Sequence, residues 1–142
     1  MKLSTRGRYG IHAMFDLAQH GGEGPQPIKA IADRQDVPEA YLEQLIAVLR
    51  KAGLVSSVRG AQGGYLLAHP VAEITVGQVL RALEGDLAPA DCLLEEDACH
   101  RACKCPSRVV WRKLYDGINQ IVDGITLADM LEDQERLMAQ GE

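Results

Sequence analysis

The sequence predicts a mostly helical domain with one small β-hairpin, followed by a long C-terminal helix. Three observations predict it. Apolar residues recur at helical spacing around residues 11–18, 42–49, 76–83 and 111–125. Two short β-prone runs, residues 54–58 and 65–68, flank the glycine-rich tip Arg59-Gly60-Ala61-Gln62-Gly63-Gly64. The longest periodic stretch, Trp111, Leu114, Ile118, Ile121 and Ile125, advances in steps of 3, 4, 3 and 4, a seam spaced for packing helix on helix.

The first helix begins after Ser4-Thr5, either of which can cap it, and presents Ile11, Met14, Phe15 and Ala18 to the core before Gly21-Gly22-Glu23-Gly24-Pro25 ends it. A short helix over residues 28–35 buries Ile31 and Ala32. Asp36-Val37-Pro38 then turns the chain into a third helix over residues 38–52, with Pro38 at or near its first position. Leu42, Leu45, Ile46 and Leu49 form its inner face, Glu39, Ala40, Tyr41, Glu43, Gln44, Val48 and Lys51 its outer face, and Gly53 closes it. A short helix, a tight turn and a longer helix with one polar side is the helix-turn-helix pattern, which any αα-hairpin would share. The hairpin that follows makes it a winged helix-turn-helix. A phosphate-cradling loop is excluded, because no Gly-Lys-Ser/Thr follows and the loop leads into a strand. Thr75 caps a further helix carrying Val76, Val79, Leu80 and Leu83 and ending at Gly85, and Thr126 starts a last helix through Ala128, Met130 and Leu131.

The 142 residues, 46% hydrophobic and 25% charged, suffice for one compact domain or a small domain with an appended helix. Aromatic residues are few, so the core is aliphatic. Apolar stretches break within about 10 residues, half of what a membrane span needs, and Asp16 and His12 interrupt any secretory signal. The expected location is the cytoplasm, with no membrane partner. The net charge of −5 hides an asymmetry: residues 1–60 hold eight Lys/Arg against six Asp/Glu, while the remaining residues hold seven against fourteen. A basic N-terminal half and an acidic remainder suit a DNA reader with a separate sensing or pairing part.

Base reading needs side chains on the exposed face near the start of the recognition helix. Gln44 can bond an adenine edge, Glu43 can accept from the cytosine amino group, and Tyr41 can reach a phosphate or sugar. Arg59, at the edge of the wing, suits the narrow minor groove. Arg6, Arg8, Lys29 and Lys51 supply sequence-blind phosphate contacts.

All four cysteines, Cys92, Cys99, Cys103 and Cys105, fall in a 14-residue window bracketed by Pro89 and Pro106, predicted as a loop with at most one helical turn. Such clustering points to a metal, a cluster or a redox switch. Glu95, Glu96 and Asp97 oppose an anionic centre, whereas His100, Arg101, Lys104 and Arg108 favour one. Spacing alone leaves zinc, an iron–sulfur cluster and reversible disulfides open. A redox or metal enzyme using Cys103-Lys104-Cys105 and His100 is disfavoured, because no second motif forms a substrate pocket.

Nearly the whole chain resembles the bacterial winged helix-turn-helix regulators typified by IscR, the iron–sulfur cluster regulator, and CymR, the repressor of cysteine metabolism. The resemblance rests on Leu3-Ser4-Thr5-Arg6-Gly7-Arg8-Tyr9, Gly24-Pro25, Tyr41-Leu42-Glu43-Gln44-Leu45, Leu49-Arg50-Lys51-Ala52-Gly53-Leu54-Val55, Arg59-Gly60 with Gly63-Gly64-Tyr65, and Ile125-Thr126-Leu127. It implies a homodimer with a long crossing helix, palindromic double-stranded promoter DNA as partner, and Tyr41, Glu43, Gln44 and Arg59 as DNA-facing positions. Ala40 stands where the family has a serine, so one hydroxyl contact is missing.

Cluster-bearing members use three cysteines spaced Cys-x5-Cys-x5-Cys, commonly for [2Fe–2S]; here Cys92-x6-Cys99-x5-Cys105 matches with one inserted residue. Arg108 replaces the histidine of the iron–sulfur regulator, and Arg6 and Arg8 stand where other members offer an acid. Cys103, His100 or a group from a partner subunit is left as fourth ligand, with [4Fe–4S], zinc or no metal as alternatives. CymR-like members lack the cysteines and answer to a partner enzyme. The expected organisation is a DNA-binding domain over residues 1–85, a sensor loop over 86–105, and a dimerisation helix and tail over 106–142.

Overall fold

The computed structural model describes residues 3–95 and 104–141. Its elements are α1 (Thr5–Gln19), α2 (Ile28–Gln35), α3 (Glu39–Lys51), β1 (Val55–Val58), β2 (Gly64–Leu67), α4 (Val76–Glu84), α5 (Pro106–Gly124) and α6 (Leu127–Gln140), with short 3₁₀ turns at Gly21–Glu23, Val71–Glu73 and Asp91–Leu93. The architecture is the mostly helical one expected, with a two-stranded antiparallel hairpin whose register pairs Val55 with Leu67 and Val58 with Gly64.

Local chemistry places the helix starts. The Ser4 side chain caps α1. Thr75 and Thr126 each form a two-way capping box, with Gln78 and Asp129 respectively, satisfying backbone donors that a helix start leaves unpaired. Asp36 makes the turn between α2 and α3 at φ 53°, a left-handed conformation that an aspartate tolerates better than most side chains. Pro38 proves to be the N-cap of α3, one position before its first helical residue.

One aliphatic core joins these elements. Leu42, Leu45, Ile46 and Leu49 of α3 are all essentially inaccessible, as the periodicity predicts, and pack with Met14, Leu17, Ile31, Ile74, Val79 and Leu127. The first helix is turned differently from expectation. Its core face is Gly10, Ala13, Met14 and Leu17, while Ile11, Phe15 and Ala18 are only half-buried. The physical reason is the approach of α4: a Cβ at position 10 would lie 1.9 Å from the Leu83 side chain, so glycine lets α4 pack against that side of α1, and Ile11, Phe15 and Ala18 fall at the margin.

Helix α5 leaves this body and α6 returns to it. The starts of α4 and α6 lie side by side through a Thr75–Thr126 bridge, with the Val76 N–H on the Ile125 carbonyl and the Leu127 N–H on the Ile74 carbonyl. Between these points α5 carries no buried residue, and Val109, Val110, Trp111, Leu114 and Ile121 are exposed. Its second half is clamped to α4 and to the segment just after it: Arg81 of α4 donates to both carboxylate oxygens of Asp123 (2.6 and 2.9 Å) and to Asn119 Oδ1 (2.8 Å), and the Tyr115 hydroxyl donates to Asp86, beyond the end of α4 (3.0 Å). The Arg81 hydrogen bonds hold the Asp123 carboxyl below its ordinary pKa. No helix among the described residues is long and apolar enough to cross a membrane.

Candidate nucleic-acid interface and cysteine segment

The third helix presents a polar face because its opposite face is locked into the core. Glu43 and Gln44 are exposed there, as are Lys51 at its end, Lys29 on α2 and Arg6 and Arg8 on the first turn of α1. Tyr41 is only half-buried, its ring meeting Tyr9 of α1 edge-on at 5.9 Å between centroids. That packing fixes the ring at the junction of α1 and α3. Arg59 is exposed at the end of β1.

The wing is tied to the body by more than its own ladder. Gln26, in the extended chain before α2, exchanges both backbone hydrogen bonds with Tyr65 of β2 (2.9 and 2.8 Å). A Cβ at position 64 would fall 2.4 Å from the Gln26 backbone, so glycine is what lets this third strand-like segment lie so close. The Gln26 side chain accepts a hydrogen bond from Arg34 Nη2 (2.8 Å), and Arg34 is bidentate on Asp16 through Nη2 (2.7 Å) and Nε (2.9 Å). Gln35 Nε2 also donates to Asp16 (3.0 Å). Asp16 is 0% exposed and its bonds hold the Arg34 guanidinium pKa above its ordinary value. Sequence reasoning missed this network. The available signal was a charged residue between Met14 and Leu17 on the core side of a helix, which must find a partner to be buried.

In the cysteine segment, Cys92 sits in a 3₁₀ turn, Asp91–Leu93, and Cys105 is the N-cap residue of α5; both are half-buried. Arg108 connects them. Its backbone N–H donates to the Cys105 carbonyl (3.1 Å), and its guanidinium donates to the Cys92 carbonyl through two long contacts of 3.4 Å. Lys104, Arg108, Arg112 and Lys113 surround the same end of α5. Cys99, His100 and Cys103 lie outside the described residues. Among the described residues no three His, Cys, Asp or Glu side chains converge as a metal site.

The model of the Rrf2 family, described as "Iron-dependent Transcriptional regulator", matches residues 3–133. The chain belongs to the Rrf2 family. It is 46% identical to protein rrf2 of Nitratidesulfovibrio vulgaris over 94% of this chain and 89% of that protein. Among solved structures it is similar to T. potens IscR, with a TM-score of 0.80 and 52% identity over 96% of this chain and 90% of the other. The CymR global cysteine regulator of B. subtilis gives a TM-score of 0.77 at 41% identity, covering 92% and 95% of the two chains. Rrf2-family proteins are transcriptional regulators rather than enzymes, and this chain's helix-turn-helix, wing and returning α6 are the form that membership takes here.

Proposed function

We propose that this Rrf2-family regulator acts in the cytoplasm as a homodimer on palindromic promoter DNA, with an iron–sulfur cluster setting its affinity. The observation that carries the DNA reading is α3: one face is sealed in the core while Glu43 and Gln44 on the other meet solvent beside a hairpin ending in Arg59. In this reading α3 enters the major groove, where Gln44 and Glu43 address base edges. Tyr41, Arg6, Arg8 and Lys51 hold the backbone, and Arg59 reaches the minor groove. Residues 1–85 form the reader, 86–105 the sensor, and 106–142 the pairing helix and tail.

The dimer is supported by α5, a long helix whose apolar Val109, Val110, Trp111, Leu114 and Ile121 stay exposed and lack full cover among the described residues. A second copy of the same helix supplies one. Two-fold pairing in turn places two recognition helices about one DNA turn apart, roughly 34 Å.

The residues present suit a thiolate-held cluster. Cys105 stands at the start of α5 amid four cations, Lys104, Arg108, Arg112 and Lys113, and the Arg108 guanidinium also reaches the Cys92 carbonyl. Cys92, Cys99 and Cys105 are the proposed ligands of a [2Fe–2S] cluster, with Cys103, His100 or a partner-subunit group as fourth. A bound cluster would supply a redox-active centre whose presence or loss is the signal. Its effect on DNA requires different affinities for two conformations, and the route to α3 runs along α5, through the Arg81 clamp and across α4.

Anaerobically purified protein is expected to carry iron and sulfide in comparable amounts and to change operator affinity when the cluster is removed. Replacing Cys92, Cys99 and Cys105 with alanine is expected to abolish its visible absorbance; retained colour would discard this ligand set. The likeness to CymR favours a second reading, in which the same DNA reader is controlled by zinc, thiol oxidation or a partner enzyme of cysteine metabolism. Stoichiometric zinc without iron would select it. Arg59→Ala is expected to weaken operator binding by about 1–3 kcal/mol, measured by fluorescence anisotropy at moderate salt.

A further inference from the structure

Asp16 and Gln26 are the two polar side chains that are buried among the described residues, and a single guanidinium, that of Arg34, hydrogen-bonds both. A buried ion pair is weak as a source of stability, since apolar replacements of like size often do as well. What such a group supplies is a defined arrangement, and here the elements it joins are informative. Asp16 belongs to the core face of α1, Arg34 to α2 of the helix-turn-helix, and Gln26 to the segment whose backbone pairs with Tyr65 at the root of the wing. Gln26 is further held by its own Nε2, which donates to the Gly24 carbonyl (3.0 Å). The hairpin has only two strands and an exposed glycine-rich tip, so its angle to the body depends on what grips it at the base.

We infer that Gln26, gripped by Arg34 on Asp16, is a positioning residue for DNA binding: it sets the angle of the wing and thereby the reach of Arg59. Neither Gln26 nor Arg34 has to touch DNA for this. The inference rests on the proposed contact of Arg59 with DNA, and a double-mutant cycle separates the two.

Gln26→Met removes both amide hydrogen bonds while leaving the backbone bridge to Tyr65 and the Asp16–Arg34 pair. In the otherwise unaltered protein it is expected to weaken operator binding by roughly 3- to 10-fold. In an Arg59→Ala background the same change is expected to cost less than about twofold, because the side chain being positioned is gone. A purely structural role would give the same fold-loss in both backgrounds, and that result overturns the inference, as does an unchanged affinity in Gln26→Met alone. Footprinting supplies a second readout. Gln26→Met should lose protection of the minor groove beneath the wing and keep major-groove protection by α3; losing both together overturns the inference. Unchanged affinity in Arg59→Ala alone overturns the DNA contact and this inference together, whereas a weakened Arg59→Ala protein with equal Gln26→Met losses overturns this inference alone.

Discussion

Trp111→Glu combined with Leu114→Glu is expected to leave a folded monomer whose operator affinity is about 10²–10⁴-fold below that of the parent protein. The size follows from linkage. In a dimer the second half-site is bound at an effective concentration fixed by the first, and that advantage disappears when the copies separate. Folding is spared because Trp111 and Leu114 are exposed among the described residues and lie before the Tyr115–Asp86 bond and the Arg81 contacts of Asn119 and Asp123. Two carboxylates placed on a shared apolar seam would be desolvated without partners, a cost of several kcal/mol. Sedimentation would report the mass, circular dichroism the retained helix content, and anisotropy the operator affinity. A variant that remains dimeric would place the pairing surface elsewhere on the molecule.

Arg34→Met is expected to lower the free energy of unfolding by about 3 kcal/mol, the lower end of the range for breaking a buried ion pair from one side. The lower end applies because the Arg34 side chain is itself 32% exposed, whereas its partner Asp16 is fully enclosed. What remains is a buried carboxylate held by the Gln35 side-chain amide once the guanidinium is gone. For a chain of this length the midpoint of thermal unfolding should fall by roughly 6–12 °C. Replacing both partners, Arg34→Met with Asp16→Leu, is expected to return stability to within about 1–2 kcal/mol of the parent, since no charge is then stranded. Denaturant titrations with a constant slope would measure both. If the single variant is as stable as the parent, the pair does not hold α1 to α2.

Much of the fold was legible because local rules governed it. The bounds of α2, the capping threonines of α4 and α6, the four inward residues of α3 and the hairpin follow from periodicity, caps and turn residues that operate within a few positions. The rotation of α1 was not legible in the same way. Ile11, Phe15 and Ala18 satisfy a helical stripe as well as Ala13 and Leu17 do, and only the closeness of α4 at Gly10 decides which side is buried. Likewise Tyr41 was legible as an outward-facing residue of α3, but its contact with Tyr9 depends on two helices far apart in the chain.

By itself the sequence determined the helix-turn-helix and wing, the exposed Glu43, Gln44 and Arg59, and a cysteine window in front of a helix with an apolar seam, because each is a pattern of neighbours along one strand or one helix turn. The tertiary structure alone decided that α6 returns to the body, that α5 is clamped to α4 at Arg81 while Trp111 and Leu114 stay exposed, that the Arg108 guanidinium reaches the Cys92 carbonyl, and that Asp16, Arg34 and Gln26 meet beneath the wing. Those contacts join residues from 8 to 51 positions apart. The physical reason is that a buried charge or a bridging guanidinium takes its partner from whatever element packing delivers, and packing is settled by the whole chain at once.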